Sequence, residues 1–253
     1  MLLQVQHLKK VYKTRFSLQS TEALKDVNFS VEAGEFIAIM GESGSGKSTL
    51  LNLLALLDTP TAGTILLKDK DLARIPEKEM AKFRRENLGF VFQDFHLLDT
   101  FTVKENILLP LVLREEAPRQ MEEKLAPLAR RLGIADLLDK YPYEISGGQQ
   151  QRAAICRALV TEPEILLADE PTGALDSHAS RELLETFEEI HAAGQTILMV
   201  THSVKAASRA KRVLFIRDGV IFHQLYKGNA TNFEAEERIA ATMQMLGRGS
   251  RDV

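Results

Sequence analysis

Cysteine is almost missing from this chain of 253 residues: Cys156 stands alone, which excludes an intrachain disulfide framework and a Cys-x-x-Cys metal pair. It sits in Ala153-Ala154-Ile155-Cys156-Arg157-Ala158-Leu159, where a packed thiol on a helix is expected rather than a nucleophile. Long apolar runs are missing too. A helix needs about eighteen or more apolar residues to cross a bilayer, and the richest run, Leu50 to Leu57, is interrupted by Asn52 and ended by Asp58. The opening Met1-Leu2-Leu3-Gln4-Val5-Gln6 has no basic segment leading into a long apolar core, so no secretory signal is expected and a cytoplasmic location is the default. Nor is there an excess of positive charge. With 32 basic and 35 acidic residues the net charge is −3, which gives no basic field to attract nucleic acid. Arg84-Arg85 and Arg130-Arg131 read as solvated helix faces. His7, His96, His178, His191 and His223 lack the spacing of transition-metal ligands. Neither an internal repeat nor a low-complexity tract is visible.

What the chain does contain is a loop suited to phosphate. Gly41-Glu42-Ser43-Gly44-Ser45-Gly46-Lys47-Ser48 satisfies the pattern G-x-x-x-x-G-K-[ST]. It follows the apolar run Phe36-Ile37-Ala38-Ile39-Met40 and precedes the leucine-rich stretch Thr49 to Leu57, the strand, loop and helix setting that such a loop requires. Glycines let the backbone curl so that successive N–H groups point inward at a β-phosphate, at the positive end of the following helix. Lys47 then reaches the β and γ oxygens, and the Ser48 hydroxyl can hold Mg²⁺. Gly41, Ser43, Gly44, Ser45, Gly46 and Thr49 complete the expected contact set. A plain Gly/Ser turn would leave Lys47 and Ser48 unexplained, so a nucleoside triphosphate is the expected ligand.

The length allows one substantial core, or one core with a smaller appended subdomain. Alternation at Val27, Phe29 and Val31 predicts a half-buried strand, and Phe36 to Met40 one covered on both faces. Further short apolar runs occur at Ile65–Leu67, Leu88–Phe92, Ile165–Ala168 and Thr196–Val200, separated by helical patterns. That alternation predicts an α/β fold with a largely parallel core sheet. Between about Asp94 and Leu159 helices dominate, over Val103–Leu113, Arg119–Leu132, Ala135–Lys140 and Gln149–Leu159. The expected division is a nucleotide-binding core over 1–93 and 160–230, an inserted helical subdomain over 94–159, and a terminal helix and tail over 231–253. Arg217-Asp218-Gly219 between two β-rich runs predicts a hairpin. Phe233, Ile239, Met243 and Leu246 fall near helical spacing, which predicts a terminal helix docking through that face on the core or on a partner, and Gly247-Arg248-Gly249-Ser250-Arg251 is expected to fray.

A second group of residues narrows the chemistry. Ile165-Leu166-Leu167-Ala168-Asp169-Glu170 is an apolar strand ending in two carboxylates. Asp169 can bind Mg²⁺ through water, and Glu170 can orient or deprotonate a water attacking the γ-phosphate. His202, in Thr201-His202-Ser203 after the last buried strand, stands at the end of a parallel strand where ligands bind and could hydrogen-bond the γ-phosphate. Ser146-Gly147-Gly148-Gln149 opens another helix and forms a second backbone nest for an anion. In a two-fold head-to-tail dimer, each such loop could face the nucleotide of the other chain. On the residues alone that geometry is one possibility among several.

In order, the phosphate loop, Gln93 after Phe90-Val91-Phe92, Ile145-Ser146-Gly147-Gly148-Gln149, Ala168-Asp169-Glu170-Pro171, Gly173-Ala174-Leu175-Asp176 and His202 resemble the ATPase subunit of ABC transporters. The similarity runs to about Gly228. The resemblance implies the ABC ATPase fold, with a mainly parallel phosphate-loop core, an antiparallel β subdomain and an inserted helical subdomain. It also implies a sandwich dimer with two ATP molecules at its interface. Gln93 then resembles the residue that senses Mg²⁺ and the permease, Ser146, Gly148 and Gln149 the signature that meets the opposite nucleotide, and Asp176 the acid crossing between sites. Tyr12 looks like the aromatic that stacks on adenine, an ordinary strand-end tyrosine being the other reading. Ile145 stands where leucine is commoner and Gly173 where serine is commoner. Gly173 is expected to loosen its turn.

The stretch Asp169 to Asp176 resembles the branch containing macrolide exporters, lipoprotein-releasing ATPases, the cell-division ATPase and antimicrobial-peptide resistance systems. Leu97 to Leu111 and the hairpin ending Gln224-Leu225-Tyr226-Lys227-Gly228 look most like the bacitracin-resistance type. The implied protein hydrolyses ATP with Mg²⁺, pairs with a second copy of itself and powers a separate permease on the inner face of the membrane, without nucleic acid. Phe95, His96, Leu97 and Leu98 are candidate permease contacts. The alternative is an ATPase that regulates a membrane or envelope protein without detoxifying peptides.

Overall fold

The computed structural model describes residues 1–13 and 20–248. In chain order the strands and α-helices are β1 (Leu3–Lys13), β2 (Ser20–Val31), β3 (Phe36–Met40), α1 (Lys47–Leu54), β4 (Ala62–Leu67), β5 (Lys70–Asp71), α2 (Glu77–Asn87), β6 (Leu88–Val91), α3 (Val103–Val112), α4 (Pro118–Arg131), α5 (Gly147–Leu159), β7 (Ile165–Asp169), α6 (Ser177–Ala192), β8 (Ile197–Val200), α7 (Val204–Ala207), β9 (Arg212–Arg217), β10 (Val220–Tyr226) and α8 (Asn232–Arg248). By its own packing the chain forms two compact units, one of Met1–Arg74 with Leu198–Val253 and one of Ile75–Ile197. The helical stretch expected over 94–159 lies inside the second, together with β6 and β7.

In the first unit the strands run in the order β5-β4-β1-β2-β10-β9-β3-β8. All five residues of β3 are buried, as the continuous apolar run requires, and β3 pairs in parallel with β9, Ile39 opposite Leu214. β9 turns into β10 through Asp218 and Gly219, both at positive φ (48° and 77°), the backbone that Asp-Gly favours in a two-residue hairpin turn. β2, β1, β4 and β5 form the antiparallel part. β1 keeps Leu3, Val5, Leu8 and Lys10 inside. The switch from odd to even positions happens at a bulge, where His7 has φ 49° and donates its N–H to Asn28 Oδ1 at 2.7 Å. Such a bulge breaks the period of two on which strand recognition depends. Opposite it, Gly63 (φ 89°) passes so close that a Cβ there would meet His7 O at 2.3 Å.

α8 packs on this unit through Ala235 and Ile239, both buried, and Arg238 donates to the carbonyls of Tyr226 (3.1 Å) and Lys227 (3.3 Å). Met243 lines a small cavity with Gly41, Ile216 and Phe222. Phe233, expected on the same face, is 68% exposed, because the inward stripe is Ala235, Ile239 and Met243 at a spacing of four, and Phe233 falls outside it. The Leu246 side chain and Gly249–Arg251 of the expected frayed tail lie outside the described residues, and α8 itself continues through Arg248.

In the second unit β6 and β7 pair in parallel, Leu88 with Ile165 and Val91 with Ala168. α5 packs on β6 and α3 through Ala153, Ala154, Ile155, Cys156 and Ala158. Burial pushes the Cys156 thiol up to about 12, so it is a packed, unreactive side chain. The helix expected over Ala135–Lys140 is a single 3-10 turn, Ala135–Leu137. The carbonyls of Leu138 and Lys140 instead accept the Lys104 and Val103 N–H groups at the start of α3, each at 2.8 Å. Those carbonyls cap one helix and do not continue another. Asn106, fully buried, shapes the preceding loop by accepting from Leu98 N–H and donating to the carbonyls of Leu98, Phe101 and Thr102.

A Cβ at Gly89 would stand 2.7 Å from Ala158 O and 2.9 Å from Leu166 Cδ1, so α5 rests directly on the β6 backbone. Gly89→Ala is expected to cost about 1–3 kcal/mol of stability through this overpacking, read as a lowered urea midpoint at unchanged slope. An unchanged midpoint would show that α5 has room to retreat.

Candidate functional site

The loop between β3 and α1 is wedged against its neighbours. A Cβ on Gly41 would lie 2.2 Å from Ile216 O in β9, and one on Gly46 would lie 2.6 Å from Ala23 O in β2. Gly44 and Gly46 take φ 79° and 104°, in the region that favours glycine. The start of α1 has no side-chain cap and no acidic residue in its first turn, so its N–H groups and positive end are open to an anion. Lys47 Nζ donates to the carbonyls of Gly41 and Glu42, both at 2.8 Å, folding across the loop. Ser45 Oγ is buried with no hydrogen-bond partner among the described residues. An uncapped helix start, a cation and an orphaned hydroxyl in one curl of backbone fit phosphate oxygens. Ser43 and Ser48 are exposed, and Thr49 is half-buried on α1.

Tyr12 lies in the same unit, 42% exposed, and its hydroxyl donates to Asp58 Oδ2 at 2.8 Å. Burial first, then the Asp58 hydrogen bond, push the Tyr12 phenol up, while the Thr49 side chain at the same hydroxyl opposes them. That contact sets Tyr12 beside α1. Lys10 Nζ sits 4.8 Å from the centre of the ring and donates to Asp58 Oδ1 (2.6 Å) and Thr59 O (2.8 Å). Burial works against the Asp58 carboxylate, but hydrogen bonds from Lys10 and Tyr12 hold it below the usual range. Nothing in the spacing of Lys10 and Asp58, 48 positions apart, marks them as a pair in the sequence. His202 follows β8, where the Thr201 N–H donates to Ile39 O at 3.1 Å. This contact puts the end of β8 alongside the end of β3, where the loop starts.

The remaining site residues belong to the second unit. Asp169 ends β7 and Glu170 follows at φ 44°, an uncommon backbone for a glutamate that persists only where its surroundings fix it. Gly173 N–H donates to Glu170 O at 2.8 Å, closing the turn. A Cβ at Gly173 would stand 3.0 Å from Gln93 Cδ and 3.1 Å from its Nε2. Gly173 therefore makes room for the Gln93 carboxamide, and its φ is not positive, so the turn does not use the freedom peculiar to glycine. Gln93 and the Glu170 turn, distant in sequence, are in contact.

After Gln93 the chain bends through Phe95 and His96 at φ 61° and 49°, and Arg157 in α5 donates to both of their carbonyls. Ser146 caps α5, accepting from Gln149 N–H, while the Gln149 side chain accepts from Ser146 N–H, a reciprocal capping box. A Cβ on Gly148 would press the Ala179 methyl at 3.1 Å, so α5 starts tight against the first turn of α6. Asp176 caps that turn, and its carboxyl is held low by the backbone N–H groups of Ala179 and His178.

The sequence profile described as ABC transporter matches residues 24–173, more than half of the chain. The chain belongs to the ABC transporter ATP-binding family. It is 49% identical over 253 residues to the ABC transporter ATP-binding protein YxdL of Bacillus subtilis, covering 100% of this chain and 97% of the relative. To the bacitracin export ATP-binding protein BceA of Halalkalibacterium halodurans it is 46% identical over 252 residues, covering 99% of each. A solved dimeric structure of the ATP-binding cassette MJ0796, in a post-hydrolysis state with ADP and Pi, aligns with TM-score 0.80 and 34% identity over 89% of this chain and 98% of that one. The fold is thus that of an ABC ATPase, and this ABC subunit binds and hydrolyses ATP. The profile-matched span contains the phosphate loop, Gln93, the Ser146–Gln149 signature and Asp169-Glu170.

Because the folded Asp58 carboxyl is held below its unfolded value, its contribution is complete above about pH 4 and lost as pH falls through the lower folded pKa. Asp58→Asn should therefore unfold more readily than the native ABC subunit at pH 7, with the gap closing towards pH 3 in urea titrations. A gap that is the same at both pH values would remove Asp58 as the ionised partner of Lys10.

Proposed function

We propose that this chain is the ATPase of a two-component export system for antimicrobial-peptide resistance, held on the inner face of the membrane by a separate permease. The observation that carries this reading is the match to BceA over 99% of both chains, joined to a phosphate loop and a Gln93–Glu170 turn that suit the chemistry. Among the described residues no helix is long and apolar enough to cross a membrane.

In the proposed site the Tyr12 ring offers adenine a flat face, fixed in place by Asp58 and Lys10. Gly41, Ser43, Gly44, Ser45, Gly46 and Thr49 cradle the phosphates with Lys47. Ser48, Gln93 and Asp169 offer the oxygen donors that suit Mg²⁺. When bound, Mg²⁺ supplies neutralising charge to the phosphate oxygens. Glu170 takes the proton of the attacking water, and His202 donates to the γ-phosphate as the bond to ADP breaks. Ser146, Gly148, Gln149 and Asp176 serve the ATP of a second copy, so that binding closes the dimer and hydrolysis reopens it. Phe95, His96, Leu97 and Leu98 then meet the permease.

Glu170→Gln should keep ATP affinity and trap the closed dimer, with turnover lowered by about 10²-fold or more. Recovered with ATP from membranes of its source cell, that variant should bring a permease with a large extracellular domain, and cells carrying it should become sensitive to bacitracin-like peptides. Recovery of a small permease of the cell-division type, with unchanged peptide resistance, would move the function to envelope regulation. Full turnover would remove Glu170 as the base.

A further inference from the structure

Gln151 is fully buried in α5, one turn beyond the signature. Its Nε2 donates to Phe92 O at 3.1 Å and to Pro171 O at 2.9 Å. Phe92 immediately precedes Gln93, and Pro171 immediately follows Glu170. One primary amide thus ties together the two backbone segments that carry these side chains. Its orientation is settled by its partners, since two carbonyls can be met only by the NH₂. The cost of that choice is visible: Oε1 is buried with no hydrogen-bond partner among the described residues. A side chain selected for stability alone would not leave an acceptor orphaned at a fully buried position. The same two segments also meet where Gly173 N–H donates to Glu170 O and Gly173 leaves room for the Gln93 carboxamide.

We propose that Gln151 is a positioning residue for ATP hydrolysis, setting Gln93 and Glu170 relative to each other and to the start of α5. Its side chain is fully buried, so its role is to hold the segments that carry Gln93 and Glu170. Because Ser146 and Gln149 form the first turn of the same helix, a displacement of α5 is passed through Gln151 to both segments at once. Engagement of the signature by the second copy's nucleotide then adjusts the hydrolytic residues of its own chain. This rests on the assignment of Gln93 and Glu170 to hydrolysis.

The test is Gln151→Met, which keeps length and volume and removes both donors. Turnover is counted per nucleotide-binding chain, so any loss of folded protein does not enter, and Gln93→Ala and Glu170→Gln are measured beside it. The expected result is ATP affinity within about twofold of the native chain and kcat lowered about tenfold or more, since small misplacements of reacting groups cost rate. In a Gln93→Ala background the same change should cost clearly less than it does alone, the remainder acting through Glu170, as coupled residues do. Native kcat in Gln151→Met, or full additivity with Gln93→Ala, overturns the proposal while impaired Glu170→Gln and Gln93→Ala leave the hydrolytic assignment standing. Native turnover in those two variants removes the assignment and the proposal together. Should Gln151→Met fail to fold, Gln151→Asn, whose amide is drawn back by one methylene, is expected to show the same loss, and native kcat there overturns the proposal equally.

Discussion

A stretch of backbone with no room for side chains underlies the rest. The loop leaving β3 runs so close to β9 and β2 that Gly41 and Gly46 could not carry a Cβ without displacing a neighbouring carbonyl. That confinement curls the loop, and α1 starts without a side-chain cap. Open N–H groups at a helix start would be a liability in a buried turn. At a helix start near the surface they suit an anion, and Lys47 and the orphaned Ser45 hydroxyl stand in the same loop. β3 is buried on both faces for the same reason: it must be held rigidly between its neighbours to keep the loop in place.

The second unit solves a different problem with the same economy of space. Glu170 is held at an uncommon backbone angle and Gln93 precedes a bend of two left-handed residues. Neither conformation would persist unaided. α5 supplies the restraint, through Arg157 on the bend and Gln151 on the segments that flank Gln93 and Glu170. The small residues along α5 and the bare Gly89 backbone let the helix come close enough for side-chain amides to reach main-chain carbonyls.

Legibility of the sequence followed the range of the interactions. The phosphate loop, the Asp218-Gly219 hairpin and the strand ending in Asp169-Glu170 are local patterns, and each lies where the pattern requires. β1 was hidden because the His7 bulge switches which positions face inward. Helical residues over Ala135–Lys140 predict a longer helix than forms, because the carbonyls of Leu138 and Lys140 serve α3, more than thirty positions back. Hydrophobicity alone places Phe233 on the docking face of α8, although the inward stripe starts at Ala235. Gln151, Lys10 and Asp58 act through partners 20 to 59 positions away, and no spacing rule reaches that far. The identity of the reaction was therefore readable early, and the means by which its residues are held was not.

We propose that hydrolysis needs two copies, each lending its Ser146–Gln149 loop to the nucleotide on the other's Lys47 loop. This is tested most directly by the rate of phosphate release from Mg²⁺ and ATP as the concentration of the purified chain is varied. The expected rate rises with the square of chain concentration when dilute and becomes proportional to it once dimers saturate. A rate strictly proportional to concentration throughout, with the chain monomeric by light scattering, would contradict it.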